Sequence, residues 1–208
     1  MRQSRQSLPF PVRARRWLRR FRPDPADRAR REVADGLYRD LVKQARMPAF
    51  YRELGVPDTP EGRFEMVGLH VALVVRRLRT TGEPGRALGQ ELFDSMFADM
   101  DESLRHIGIG ELSVGKHVKR LARSFYARLA ALDEILGQSP RAPLAQMLRT
   151  NVYYGGTAPS AHQLDALVSY LLTAEAALRA QASEHLLAGQ LDWAPPGDPK
   201  SQTPGEGT

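Results

Sequence analysis

Apolar positions along this chain recur at helical spacing from residue 24 to residue 188, and sustained period-two alternation is absent. Asp24 followed by Pro25 reads as an N-cap with proline in the first helical position. Val33, Leu37, Tyr38, Leu41, Val42 and Ala45 then fall along one side, and Pro48 ends that helix. "PAFYRELG" predicts a short helix stopped by Gly55. Thr59-Pro60 opens a third, with Phe64, Val67, Val71, Val74, Val75 and Leu78 on a narrow stripe, and "TTGEPG" breaks it.

The helix expected over residues 84–107 has an unusual pattern. Leu88, Leu92, Phe93, Met96, Phe97, Met100, Leu104 and Ile107 spread over about half of its circumference, wider than the usual apolar stripe. Either this helix is central and touched on two sides, or part of its face serves something else. Gly108 stands where a left-handed residue closes a helix, with Ile109 folding back on Leu104. Ser113 is read as the N-cap of the next helix, whose Val114, Val118, Leu121, Phe125, Leu129, Leu132 and Leu136 share about 80° of arc. Lys116, Lys119, Arg120 and Arg123 lie opposite. "GQSPRAP" separates it from a shorter helix carrying Leu144, Met147 and Leu148, which runs to "NVYYGG". Ser160 caps a final long helix with Leu164, Leu167, Val168, Leu171, Leu172 and Leu178. Beyond Gly189 the chain is rich in proline, glycine and polar residues. The pattern predicts one all-α domain of six to seven helices over residues 23–188, a basic arm over 1–22 and a disordered tail over 189–208.

Charge sharpens the division. The net charge of +6 arises in the arm, where residues 1–22 hold eight arginines and no acid. The body, 23–188, balances 21 lysines and arginines against 21 acids. A sequence-specific nucleic-acid binder carries its surplus on the folded domain, so this distribution argues against one. In "FPVRARRWLRRFR", Ala14, Trp17, Leu18 and Phe21 share a helical face with Arg13, Arg16 and Arg20 largely opposite. That composition suits a helix lying on an anionic bilayer; a disordered tail and a mitochondrial transit segment are the competing readings. With no cysteine in the chain, disulfides, thiol catalysis and zinc–thiolate sites are excluded. The longest apolar run, "MVGLHVALVV", meets Arg76 and Arg77 well short of the roughly 18 residues a spanning helix needs, so no integral membrane segment is expected.

Candidate chemistry centres on "FADMDESLRHIGIGELSVGKHVKR", where Asp99, Asp101, Glu102 and Glu111 precede a cluster of lysine, histidine and arginine. No Glu-x-x-His pair of the kind that builds dinuclear carboxylate sites occurs, and Asp101 with Arg105 reads as an i,i+4 ion pair. "GIG" lacks both the third glycine and the preceding strand of a dinucleotide-binding turn. His117 stands near Ser113 and Ser124 without a nucleophile elbow, and His70, His162 and His185 stand singly at helix edges, read as solvent-facing or locally satisfied. The stretch is therefore read as a helix–bend–helix corner, with no catalytic residue, metal or cofactor expected.

The same stretch carries a resemblance. "FDSMFADMDESLRHIGIGELSVGKHVKRLARSFYARL" resembles the signature of the ubiquinol–cytochrome c chaperone family, the relatives of the mitochondrial assembly factor for cytochrome b. The specific part is Phe97, Asp99, Met100, Asp101, Leu104 and Arg105 with Gly108, Gly110, Val114 and Lys116. "ARMPAFYRELGVPDTPEGRFEMVGLHVALVVRRLR" and, more loosely, "LRTNVYYG" extend the resemblance over about residues 33–180. It implies a non-enzymatic chaperone that helps newly made cytochrome b enter the ubiquinol–cytochrome c reductase. In mitochondria such proteins work with a small partner near the ribosomal exit. The alanine- and arginine-rich composition points to a bacterial member, peripheral on the inner face of the cytoplasmic membrane (the matrix side in a eukaryote).

Three sets of residues follow as expectations. Phe93, Met96, Phe97 and Met100 are the candidate client-binding face, with the domain core as the competing assignment; methionine adapts to varied apolar partners. Lys116, Lys119, Arg120 and Arg123 are the candidate basic face for a partner protein or ribosome. Arg13, Arg16, Trp17, Arg20 and Phe21 are the candidate membrane contact. The rival reading is a ribosome- or RNA-binding, or lipid-binding, helical adaptor with no dedicated cytochrome b client.

Overall fold

Residues 66–75 are all buried, ten in succession, and the other helices are arranged around them. A helix that is apolar all round must be covered all round. The computed structural model describes residues 24–106, 111–138, 140–193 and 196, with the side chains of 104, 106 and 111–120 outside that description. Among the described residues the regular structure is entirely helical. There, six long helices, α1 (Pro25–Ala45), α3 (Pro60–Leu78), α4 (Gly82–His106), α5 (Glu111–Leu136), α6 (Arg141–Asn151) and α7 (Ala161–Ala180), are joined by two single-turn pieces, α2 (Pro48–Arg52) and α8 (Ser183–Leu187). This is the expected all-α class.

The helix starts are built as the sequence predicts. An Asp24 side-chain oxygen accepts from the Ala26 amide at 3.0 Å, and Thr59 Oγ1 accepts from Gly62 at 3.1 Å. Ser160 and Gln163 cap each other reciprocally, at 3.2 and 2.9 Å, to start α7. Ser113 differs: α5 already begins at Glu111, so this serine lies inside the first turn and is not its N-cap.

α3 contacts α1, α4, α5, α7 and α8, while α6 pairs with α7. The narrow stripe expected on α3 is therefore too narrow: Met66, Leu69, His70, Ala72 and Leu73 are buried as well. α4 packs against α1, α3 and α5, which accounts for its wide apolar face. α3 and α4 are separated by a single 3₁₀ turn, Arg79–Thr81, and not by a loop. Gly82 takes φ 82° there, a left-handed conformation that side chains disfavour. At Gly85 a β-carbon would lie 2.1 Å from the Leu78 carbonyl oxygen, so the two helices turn on a glycine contact.

The packed body also runs past the boundary expected at residue 188. Gln181 donates to the Gln190 carbonyl at 2.9 Å, and Leu191 and Trp193 pack on the core.

Candidate client-binding site

Phe93, Met96, Phe97 and Met100 occupy successive turns of α4, and all four are buried, with 6, 0, 8 and 8% of their surface exposed. Phe93 and Phe97 among them meet the aromatic residues of α5. Phe93 lies 4.4 Å from Phe97 between ring centroids, 5.4 Å from Phe125 and 5.0 Å from Tyr126, the last in a stacked arrangement. Phe97 meets Phe125 edge-on at 6.4 Å. Such clusters combine large buried area with about 0.5–1.5 kcal/mol per aromatic pair beyond it. Burial, reinforced by the Asp94 carboxylate, pushes the Tyr126 phenol above its usual range. In this conformation the four residues are buried in the core, not an open surface.

Around this cluster the acids of the α4 end are engaged by neighbours. Asp99 accepts from the Tyr38 hydroxyl at 2.7 Å, tying α4 to α1, and burial together with that bond raises the Tyr38 phenol. Asp101 accepts from Arg105 Nε at 2.9 Å, the expected i,i+4 pair. Ser95 donates to Asp35 at 2.6 Å, a second tie between α1 and α4. Residues 107–110, where a bend is expected, lie outside the described residues. So do the side chains of Lys116, Lys119 and Arg120, whose backbone is helical within α5; Arg123 of the same basic face is exposed. Arg13, Arg16, Trp17, Arg20 and Phe21 lie outside the described residues. No group of three His, Cys, Asp or Glu among the described residues is placed to hold a metal ion. None of the helices described is long and apolar enough to cross a membrane.

One histidine departs from what the sequence predicts. His70 is fully buried rather than at a helix edge, with Nδ1 2.7 Å from the Met66 carbonyl and Nε2 2.7 Å from the Tyr170 hydroxyl, which also accepts from Gln44 at 3.0 Å. Trp193 from the C-terminal segment stands 5.2 Å from the imidazole. The signal for this was the position of His70 inside the apolar run 66–75. Tyr154 is the large hydrophobic side chain left most open among the described residues, 82% exposed, beside Gly155 and Gly156 in the turn after α6. Its neighbour Tyr153 points inward and donates to the Leu54 carbonyl at 2.7 Å.

Comparison with known proteins places this architecture. A model of the ubiquinol-cytochrome C chaperone family matches residues 52–193, which takes in everything from the end of α2 to Trp193. The crystal structure of the Cbp3 homolog from Brucella abortus superposes with a TM-score of 0.73 at 35% identity, covering 81% of this chain and 92% of that one. Ubiquinol-cytochrome c reductase complex assembly factor 1 of Mus musculus is 24% identical over 160 residues, 76% of this chain, and the Xenopus laevis protein is likewise 24% identical. The chain spans about half the length of the mouse protein, 54%, and 79% of the frog one. From the α2 end to the C-terminal segment packed on His70, the chain belongs to the ubiquinol-cytochrome C chaperone family.

Proposed function

We propose that this protein is a non-enzymatic assembly chaperone for the ubiquinol–cytochrome c reductase, acting on newly made cytochrome b at a membrane surface. The observation that carries this reading is the family match over residues 52–193, which covers the helical body from the end of α2 onward. Relatives that are named as assembly factors of that complex support it.

The burial of Phe93, Met96, Phe97 and Met100 constrains how a client is met. For Phe93 and Phe97 to receive an apolar segment, α5 has to move off α4, exposing the aromatic cluster. We therefore assign first contact to surfaces that are charged in sequence: the arm with Arg13, Arg16, Trp17, Arg20 and Phe21, and the α5 face with Lys116, Lys119, Arg120 and Arg123. The arm suits the inner face of a bacterial cytoplasmic membrane, where arginine and interfacial aromatics act together.

Deletion of the gene tests the reading, with difference spectra and immunoblots of membrane b-type and c-type cytochromes. Selective loss of the reductase's cytochrome b, with other membrane complexes intact, is the expected result. Cytochrome b at its normal level and activity would overturn the proposal.

A further inference from the structure

Toward the C-terminal end of α5, beyond the aromatic cluster, α3, the start of α4, α5 and the end of α7 enclose an open cleft of about 720 Å³. Five arginines and two carboxylates line it, leaving a surplus of three positive charges. The surplus is local, since the charges of the body over 23–188 balance as a whole.

The charged side chains form a connected row. Asp133 of α5 pairs with Arg79 at 3.0 Å and with Arg76 Nε at 3.0 Å. Glu175 of α7 pairs with Arg76 at 2.8 Å and with Arg179 at 3.0 Å. Each carboxylate is shared between two guanidiniums, so neither can neutralise its neighbours. Arg76 Nε, although close to Asp133, is buried without an aligned hydrogen bond. Arg86 enters from α4 and pairs with Glu83 one turn away on the same exposed face. Arg77 is committed elsewhere, since it donates to the Leu178 and Gln181 carbonyls, both at 2.9 Å, and closes the end of α7. Glu83 and the C-terminal dipoles of α3 and α7, each dipole equivalent to about half a charge, offset part of the surplus but not all of it.

We propose that this cleft is a binding site for a phosphate-bearing anion, held by Arg76, Arg79, Arg86 and Arg179. Guanidinium groups present planar pairs of donors that match phosphate oxygens, and several can share one tetrahedral, multiply charged group. A single carboxylate has too little charge and too few acceptors: the cleft already contains two and remains positive. Leu73 and Leu178 form an apolar part of the lining, which suits a phosphate carried on an organic group. The ligand would brace α3, α4 and α7 together. The proposal stands independently of the assembly role, and a gene deletion that leaves cytochrome b intact would not touch it.

Thermal unfolding of the full chain with inorganic pyrophosphate, against sodium chloride at matched ionic strength, tests it. At ten times the dissociation constant the melting temperature is expected to rise by about 3 °C. The rise should vanish in R79Q/R179Q and in R86E; the latter removes only an exposed pair, so it keeps the test alive if the double variant folds poorly. No rise, or an equal rise in native protein and R86E, overturns the proposal, as does a response to polyglutamate without one to pyrophosphate. Phosphatidylglycerol vesicles added to a W17S/F21S background distinguish the source. Displacement of pyrophosphate by these vesicles, but not by phosphatidylcholine, supports a lipid headgroup. Retention of pyrophosphate supports a soluble phosphate compound.

Discussion

Nε2 of His70 and the hydroxyl of Tyr170 lie 2.7 Å apart in the core, and the hydrogen bond between them can run in one direction only. The Met66 carbonyl facing Nδ1 accepts and never donates, so Nδ1 carries the proton. Nε2 must then accept from Tyr170, whose oxygen accepts in turn from Gln44. Burial pushes the imidazole pKa down to about 4, against an ordinary value of 6.5.

Acid sensitivity follows, with a definite sign. Above pH 6.5 the group is neutral in folded and unfolded chains alike and costs nothing. Between pH 6.5 and about 4 the unfolded chain takes up a proton that the folded one refuses, so stability falls as pH falls, by up to about 3 kcal/mol. Urea unfolding at pH 7, 5.5 and 4.5 should show this loss, and a His70→Gln variant should show a shallower slope. Equal slopes would mean that other groups carry the acid response.

The Glu65–Arg128 pair, joining α3 to α5, is mostly buried. Desolvation raises the Glu65 carboxyl above its usual value even though Arg128 opposes the shift. Arg128→Ala would leave that carboxylate buried and unpaired, and about 3 kcal/mol of stability should be lost at pH 7. Because a protonated Glu65 needs no partner, the loss should shrink as pH falls through its titration. Replacing both residues with leucine should recover most of it, as measured by denaturant midpoint.

Gly85→Ala places a methyl group against the Leu78 carbonyl at the α3–α4 corner. The helices must part or the turn must unwind, and a loss of about 1–3 kcal/mol is expected. Hydrogen exchange should localise the loosening to residues 78–86. Fast exchange spread evenly over the molecule would argue for a global effect instead.

Phe97→Ala should cost about 3–5 kcal/mol if its ring is core, as its packing against Phe93 and Phe125 indicates. A photo-crosslinking residue at position 97 addresses client contact separately. Crosslinks to cytochrome b during translation would demonstrate that α5 leaves α4. Crosslinks confined to α5 at every stage would remove Phe93, Met96, Phe97 and Met100 from the client surface.

Changing Trp17 and Phe21 to serine while every arginine is kept separates membrane contact from polyanion attraction. Vesicle flotation should fall and RNA binding should survive. Equal retention of both would favour the ribosome- or RNA-binding alternative, whose affinity should also drop steeply with salt.

The helical class and the caps at Asp24, Thr59 and Ser160 were legible because each depends on residues within a turn of one another. Burial around α3 was harder to read. By length the run 66–75 says only that it is too short for a bilayer, whereas its apolar circumference marks a helix covered on every side. The α4 face was ambiguous for a related reason: a wide apolar arc looks the same whether a client or α5 covers it. The arginine cleft was invisible because its members, Arg76, Arg79, Arg86, Asp133, Glu175 and Arg179, come from separate elements and meet only once these are packed. Trp193 was hidden by composition: its proline- and glycine-rich surroundings read as tail, yet its ring, with Leu191 and the Gln181–Gln190 hydrogen bond, fastens the segment to the core beside His70.

The position of α3 also sets a timetable. Residues 66–75 emerge from the ribosome before α4, α5, α7 and α8, which cover them, and before Trp193, which reaches His70 from the other end of the domain. Domains generally complete folding as units during or after synthesis. Among the described residues the helix with the longest buried run thus waits for partners made much later, and closure over His70 needs Trp193, near the end of the packed body. A factor that we infer to shelter another nascent polypeptide passes through the same unsheltered interval itself, and the C-terminal segment ends it.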